Sequence, residues 1–236
     1  MKIKELDLIK YQADLNNLPA GKLLINTINA HSFNVAKEDS LFRESLLRGG
    51  CLLPDGFSIV LARKLLNKEN IERIAGADLF RFEMEKLNQQ GGDCFFLGSS
   101  DAVLAKITEK ARLEYPNIRI HTYSPPYKPV FSTEENELMI QAVNQVRPDL
   151  LWVGMTAPKQ EKWAYENYES LNVRGHIGCI GAVFDFYAGN VRRAPQWMMD
   201  NGLEWLHRLC SNPKRLWRRY LIGNTRFITH VIKEWA

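Results

Sequence analysis

Short apolar runs alternate along this chain with amphipathic helical stretches, and that alternation constrains the fold more than any other feature. Leu23–Asn29, Cys51–Asp55, Cys94–Leu97, Ile118–Tyr123, Leu150–Val153 and His176–Ile180 read as strands bounded by turn residues. Helical periodicity separates them, over about His31–Leu47, Phe57–Leu66, Gly76–Gln89, Asp101–Glu114, Glu134–Val146 and Lys159–Ser170. Strands this apolar are buried on both faces, so the expected fold is α/β, a mostly parallel sheet with helices on both sides. Beyond Gly189 the strand pattern stops. Two helices are predicted there, over about Pro195–Cys210 and Pro213–Glu234, each opened by a proline suited to a first helical turn. The chain thus divides into a core, 1–190, and a helical appendage, 191–236.

Charge separates the same two parts. Residues 189–236 hold nine Lys/Arg against three acids, and four of the six tryptophans. A basic, aromatic-rich end on a slightly acidic body is a localised contact surface. Leu216, Trp217, Tyr220, Leu221, Phe227, Ile228, Val231 and Trp235 recur at near-helical spacing with arginines interleaved. Such a helix either lies on an anionic lipid surface or packs its stripe on the core, and both hold if different faces are used. The four cysteines are far apart and form no C-x-x-C pair, which indicates neither a disulfide frame nor a zinc site. The N-terminus carries acids where a signal peptide needs apolar residues, and no run reaches the ~18 to 20 of a membrane span. The expected location is the cytoplasm, peripheral to the inner face of the membrane.

In parallel sheets, ligands sit outside the carboxyl ends of the strands. Asp55, at a strand end in Leu53-Pro-Asp-Gly-Phe57, either takes a proton from an attacking hydroxyl or merely makes an Asp-Gly turn. Thr27 and Asn29, two apart on a strand, either hydrogen-bond a sugar or base or cap the next helix. Gly98 and Ser99 open a helix whose free N–H groups suit a diphosphate, although a helix cap without a ligand has the same pattern. Gln160, in the first turn after Pro158, is well placed for a sugar or phosphate, and Glu161 equally for a capping box. Arg73 offers a bidentate phosphate contact or is a plain surface arginine. No D-x-D occurs, and no His and carboxylates cluster, so no metal or other cofactor is expected and arginines are expected to meet leaving-group charge.

Several segments together resemble the WecG/TagA/CpsF family, glycosyltransferase family 26. They are Asn26–His31, Pro54–Val60, Arg73–Leu79, Phe95–Gly98, Gly154–Glu161, Gly178–Asp185, Gly189–Pro195 and Gly202–Leu209, in family order over almost the whole chain. The resemblance implies a Rossmann-like core and a helical C-terminal appendage. It also implies transfer of N-acetylmannosamine or a related hexose from a UDP-sugar to a polyprenyl-diphosphate-linked sugar. Asp55 matches the family's proposed base, and Thr27, Asn29, Arg73 and Gln160 its pocket residues. Arg208, Arg215 and Arg218 fall, by a looser match, where the appendage closes over the diphosphate and faces the membrane. Phe57 stands where a smaller residue is expected, and Cys179 interrupts a glycine-rich stretch. The reading is an inverting, metal-independent transferase. A nicotinamide-dependent oxidoreductase would need a glycine fingerprint with a ribose-binding acid downstream, and no such pair is present. The tail alone suggests nucleic acid, without a recognised motif, so no nucleic-acid partner is expected. A silent membrane scaffold is the third alternative, and the sequence carries no signal for an oligomeric state.

Overall fold

The computed structural model describes residues 1–235, apart from the side chain of Arg215. Six strands form one sheet: β1 (Leu23–Ile28), β2 (Gly50–Pro54), β3 (Gly92–Gly98), β4 (Ile118–Tyr123), β5 (Leu150–Gly154) and β6 (His176–Cys179). Their order is β2-β1-β6-β5-β3-β4, and every pairing is parallel. Because alternate side chains leave a strand on opposite faces, the apolar runs feed two cores at once. Cys94, Phe96 and Trp152 enter one, and Phe95, Leu97, Leu151 and Val153 enter the other.

On the first face lie α4 (Gly76–Gln90), α5 (Asp101–Glu114) and α8 (Gly181–Tyr187), which contribute Phe80, Met84, Leu104, Ile107 and Phe184. On the second lie α6 (Thr133–Val146) and α7 (Lys159–Glu166), with Met139, Val143 and Trp163. The connections from β3 and β5 leave in opposite directions, towards β4 and β6, so a topological switch point falls where those strands end. Gly98 is needed there: its φ is +120°, and a Cβ on it would lie 2.4 Å from the Gly154 carbonyl oxygen.

The predicted helix over His31–Leu47 is two helices, α1 (Ala30–Glu38) and α2 (Ser40–Arg48). Asp39 breaks it: its backbone is extended, and its carboxylate accepts the Phe42 N–H at 2.9 Å as an N-cap. With α3 (Phe57–Asn67) they cover the β1–β2 edge of the sheet. The predicted helix over Pro195–Cys210 is likewise two, α9 (Gln196–Asp200) and α10 (Glu204–Ser211), separated by Gly202 at φ +70°. The last predicted helix runs as α11 (Pro213–Trp217), a π-helical turn (Arg218–Ile222) and α12 (Gly223–Trp235).

The end of the chain is built into the core. On α12, Phe227 is 3% exposed and joins Val231 in a cluster with Ile28, Phe33, Phe42 and Ile59. The Glu234 carboxylate accepts the N–H groups of Ile3 and Lys4, tying the two ends of the chain together. The other side of the same helix presents Ile228, Ile232 and Trp235 to solvent. No helix among the described residues is long and apolar enough to cross a membrane.

Candidate active site

Asp55 follows the last residue of β2, at the carboxyl edge of the sheet. Its backbone N–H donates to the carbonyls of Ile28 and Leu53, both at 3.0 Å, which fixes the turn relative to β1. Ile74 donates to the Pro54 carbonyl at 3.0 Å and thereby lays Arg73 alongside. From the appendage, α10 brings Glu204 and Arg208 to the same place. Arg73 Nη1 donates to Glu204 Oε2 at 2.9 Å, with both side chains 18% exposed. Phe57, just after Asp55, packs against the backbone of Gly202, where a Cβ would lie 2.5 Å from the ring. The bulky residue at 57 is therefore a seat for the appendage.

The Asp55 residue is half-buried while its carboxyl lies enclosed. Burial pushes that carboxyl up to about 7 from 3.8. The Glu204 charge pushes the same way, Arg73 and Arg208 pull against it, and Asp78 of α4 adds a smaller upward push. A carboxyl poised near neutrality among two arginines and two further acids can take up and release a proton at working pH.

The other predicted residues divide. Thr27 is half-buried on β1, paired with Leu53, two residues before Asp55. Asn29 Oδ1 accepts the N–H groups of His31 and Ser32, at 3.0 and 3.1 Å, so that oxygen serves as the α1 cap. Arg208 is half-buried against the Phe186 ring, 5.4 Å from its centroid. Arg218 is exposed beside Trp217, 5.3 Å from ring centroid to guanidinium. Arg215 lies on α11, and its side chain falls outside the described residues.

Two of the predicted positions make contacts within the fold. At Gly98 and Ser99, the Ser99 N–H donates to the Gly154 carbonyl at 3.0 Å. They also stand four strand positions from β2, roughly 19 Å at ~4.8 Å per strand. Gln160 is 5% exposed. Its Oε1 accepts the N–H groups of Met155 and Gly181, and its Nε2 donates to Glu161, so it pins the β5–α7 loop to the start of α8.

Sequence reasoning passed over Glu204, the only acid between Asp200 and Glu234. It also passed over His31, which burial, helped by the nearby Arg219, lowers to about 4, so the ring is neutral at pH 7. Among the described residues no group of three or more His, Cys, Asp or Glu side chains is placed to hold a metal ion.

Glu161 carries a separate prediction. It is 3% exposed, Oε2 has no hydrogen-bond partner among the described residues, and burial pushes the carboxyl up to about 7 from 4.5. A carboxyl raised on folding contributes fully below its unfolded value, and that contribution is lost as pH rises through about 7. Glu161→Gln should therefore be more stable than the parent at pH 8, by at most about 3 kcal/mol at ~1.4 per pH unit, with the gain vanishing by pH 4. Melting curves across that range read the difference. A gain that does not grow with pH would contradict it.

Comparison with known proteins gives this arrangement its class: the protein is a glycosyltransferase. The model of the glycosyl transferase WecG/TagA/CpsF family matches residues 2–236, and the chain belongs to that family. Two curated proteins named N-acetylglucosaminyldiphosphoundecaprenol N-acetyl-beta-D-mannosaminyltransferase are similar to it. The one from Bacillus subtilis strain 168 is 32% identical over 211 residues, covering 89% of this chain and 79% of its own. The one from Bacillus spizizenii is 31% identical over 199 residues, covering 84% and 74%.

Proposed function

We propose that the protein transfers N-acetylmannosamine, or a closely related hexosyl group, from a UDP-sugar to a polyprenyl-diphosphate-linked sugar for cell-surface polysaccharide synthesis. The carrying observation is the enclosed Asp55 carboxyl, raised to about 7 and flanked by Arg73 and Arg208. The names of the two Bacillus relatives support the acceptor and the sugar.

In this reading the acceptor oxygen attacks the anomeric carbon on the face opposite the diphosphate. One C–O bond forms, the bond to the diphosphate oxygen breaks with its electron pair, and the acceptor proton passes to Asp55. The sugar is therefore inverted. Arg73 and Arg208 meet the charge developing on UDP, and no metal ion is required. Thr27 and Asn29 face the sugar from the ends of β1 and α1. Gln160 acts indirectly, by holding the β5–α7 loop. Gly98 and Ser99 contribute as the switch-point floor beneath the extended donor, by shape more than by charge. Arg218 faces the anionic membrane that carries the acceptor, and the exposed Ile228, Ile232 and Trp235 sit at headgroup depth. The protein works at the inner face of that membrane without spanning it.

A donor panel tests the proposal: UDP-N-acetylmannosamine, UDP-N-acetylglucosamine, UDP-glucose and UDP-glucuronate, each with a prenyl-diphosphate N-acetylglucosamine analogue. Transfer of the first, with inverted anomeric configuration and undiminished by EDTA, is the expected result. Retention of configuration, loss of transfer on chelation, or inactivity with all four donors would reject the corresponding part.

A further inference from the structure

The appendage contributes a carboxylate to a site that otherwise belongs to the core. Glu204 reaches across 131 positions of sequence to Arg73, in a pair only 18% exposed on either side. Among the described residues a single N–H of the guanidinium is engaged, so four of its five N–H donors remain for a ligand beside Asp55. A carboxylate that merely solubilised a basic helix would stand in water among the exposed arginines. This one turns inward, beside Asp55, from the helix that also delivers Arg208.

We infer that Glu204 is a positioning residue of the transferase site: it fixes the Arg73 guanidinium beside Asp55 and supplies a negative charge to a cluster that the core cannot complete alone. The inference rests on the reading of Asp55 as the base. Removing this pair would leave Arg73 mobile where a diphosphate must be met in one geometry, and small displacements at such a position are costly. The charge has its own consequence. Asp55 is faced by Arg73 from the loop before α4, by Asp78 from α4, and by Glu204 and Arg208 from α10; among these neighbours Glu204 is the strongest influence. Its negative charge opposes ionisation of Asp55 and so keeps that carboxylate basic. Docking of the appendage and readiness of the base are thereby linked in one residue.

The test uses the full chain with Glu204→Gln, Glu204→Asp, Arg73→Lys and the double variant Arg73→Lys/Glu204→Gln. Binding of UDP is measured calorimetrically, and kcat/KM for the sugar donor is followed from pH 5 to 9. Glu204→Gln should move the acid limb of the profile to lower pH and cost about 10- to 100-fold in kcat/KM at pH 8. Glu204→Asp, which keeps the charge, should leave the limb near its original place with a smaller loss. The UDP cycle of Arg73 and Glu204 should be non-additive. A purely structural contact would reduce the folded fraction without moving the limb. An additive cycle overturns the positioning role whatever becomes of Asp55. A limb that stays in place in Glu204→Gln, yet disappears in Asp55→Asn, overturns the charge role. If Asp55→Asn itself keeps the limb, the base assignment fails, and the UDP cycle still decides the Glu204 inference.

Discussion

Asp55→Asn is expected to lower turnover by about 10²- to 10⁴-fold, the usual contribution of a positioned general base, while UDP affinity stays close to that of the parent. Asparagine preserves the side chain's shape and the backbone bonds to Ile28 and Leu53, so the turn at the end of β2 survives. What it removes is the proton acceptor. The same substitution should raise thermal stability at pH 8. The carboxyl is held up at about 7 against 3.8, chiefly by burial and then by Glu204, so its ionisation above that pH opposes folding. Stability from this group is complete below about pH 4 and is lost as pH climbs through 7. A variant that is slow but sturdier in alkali marks a functional group kept at some expense in stability. A variant that is slow and less stable at every pH would instead indicate a structural role.

Truncation before Pro213 is expected to cost the fold itself. Phe227 stacks edge-on against Phe33 with centroids 5.5 Å apart, and it shares a buried cluster with Phe42 and Ile59. Removing that one side chain, as Phe227→Ala, should destabilise by about 3 to 5 kcal/mol, and the truncation, which also removes Val231 and the Glu234 clamp, by more. Membrane contact is separable from this. Replacing Ile228, Ile232 and Trp235 with serine removes the exposed stripe and spares the buried one. That triple variant should keep the parent's melting temperature and activity on a soluble acceptor analogue, and lose sedimentation with anionic vesicles. Vesicle binding at parental strength would place the membrane surface elsewhere on the molecule.

The layered α/β core was legible because each strand is buried on both faces, which leaves an uninterrupted apolar run bounded by turn residues. Helix ends were less so. Across Asp39 the apolar spacing continues in phase, and only the capping bond to Phe42 breaks the helix. At Gly98–Ser99 the strand-glycine-helix pattern is real, but the Ser99 N–H is taken by a carbonyl on β5, a partner set by sheet order and invisible in local sequence. Gln160 is similar: a polar residue in a first helical turn gives no sign of whether it faces the cleft or pins a loop. The place of Asp55 at a strand tip was legible from position, which by itself left a plain Asp-Gly turn open beside a base. Glu204 was not, because a lone acid in a basic tail reads as a solvated charge until Arg73 is found beside it.

Titration of the Asp55 carboxyl by ¹³C NMR, assigned by its absence from the Asp55→Asn spectrum, addresses the central arrangement most directly. The account predicts a midpoint near 7 in the free enzyme and a displaced resonance when UDP fills the neighbouring arginine pair. A midpoint near the ordinary ~4 of an aspartate, with no response to UDP, would contradict it.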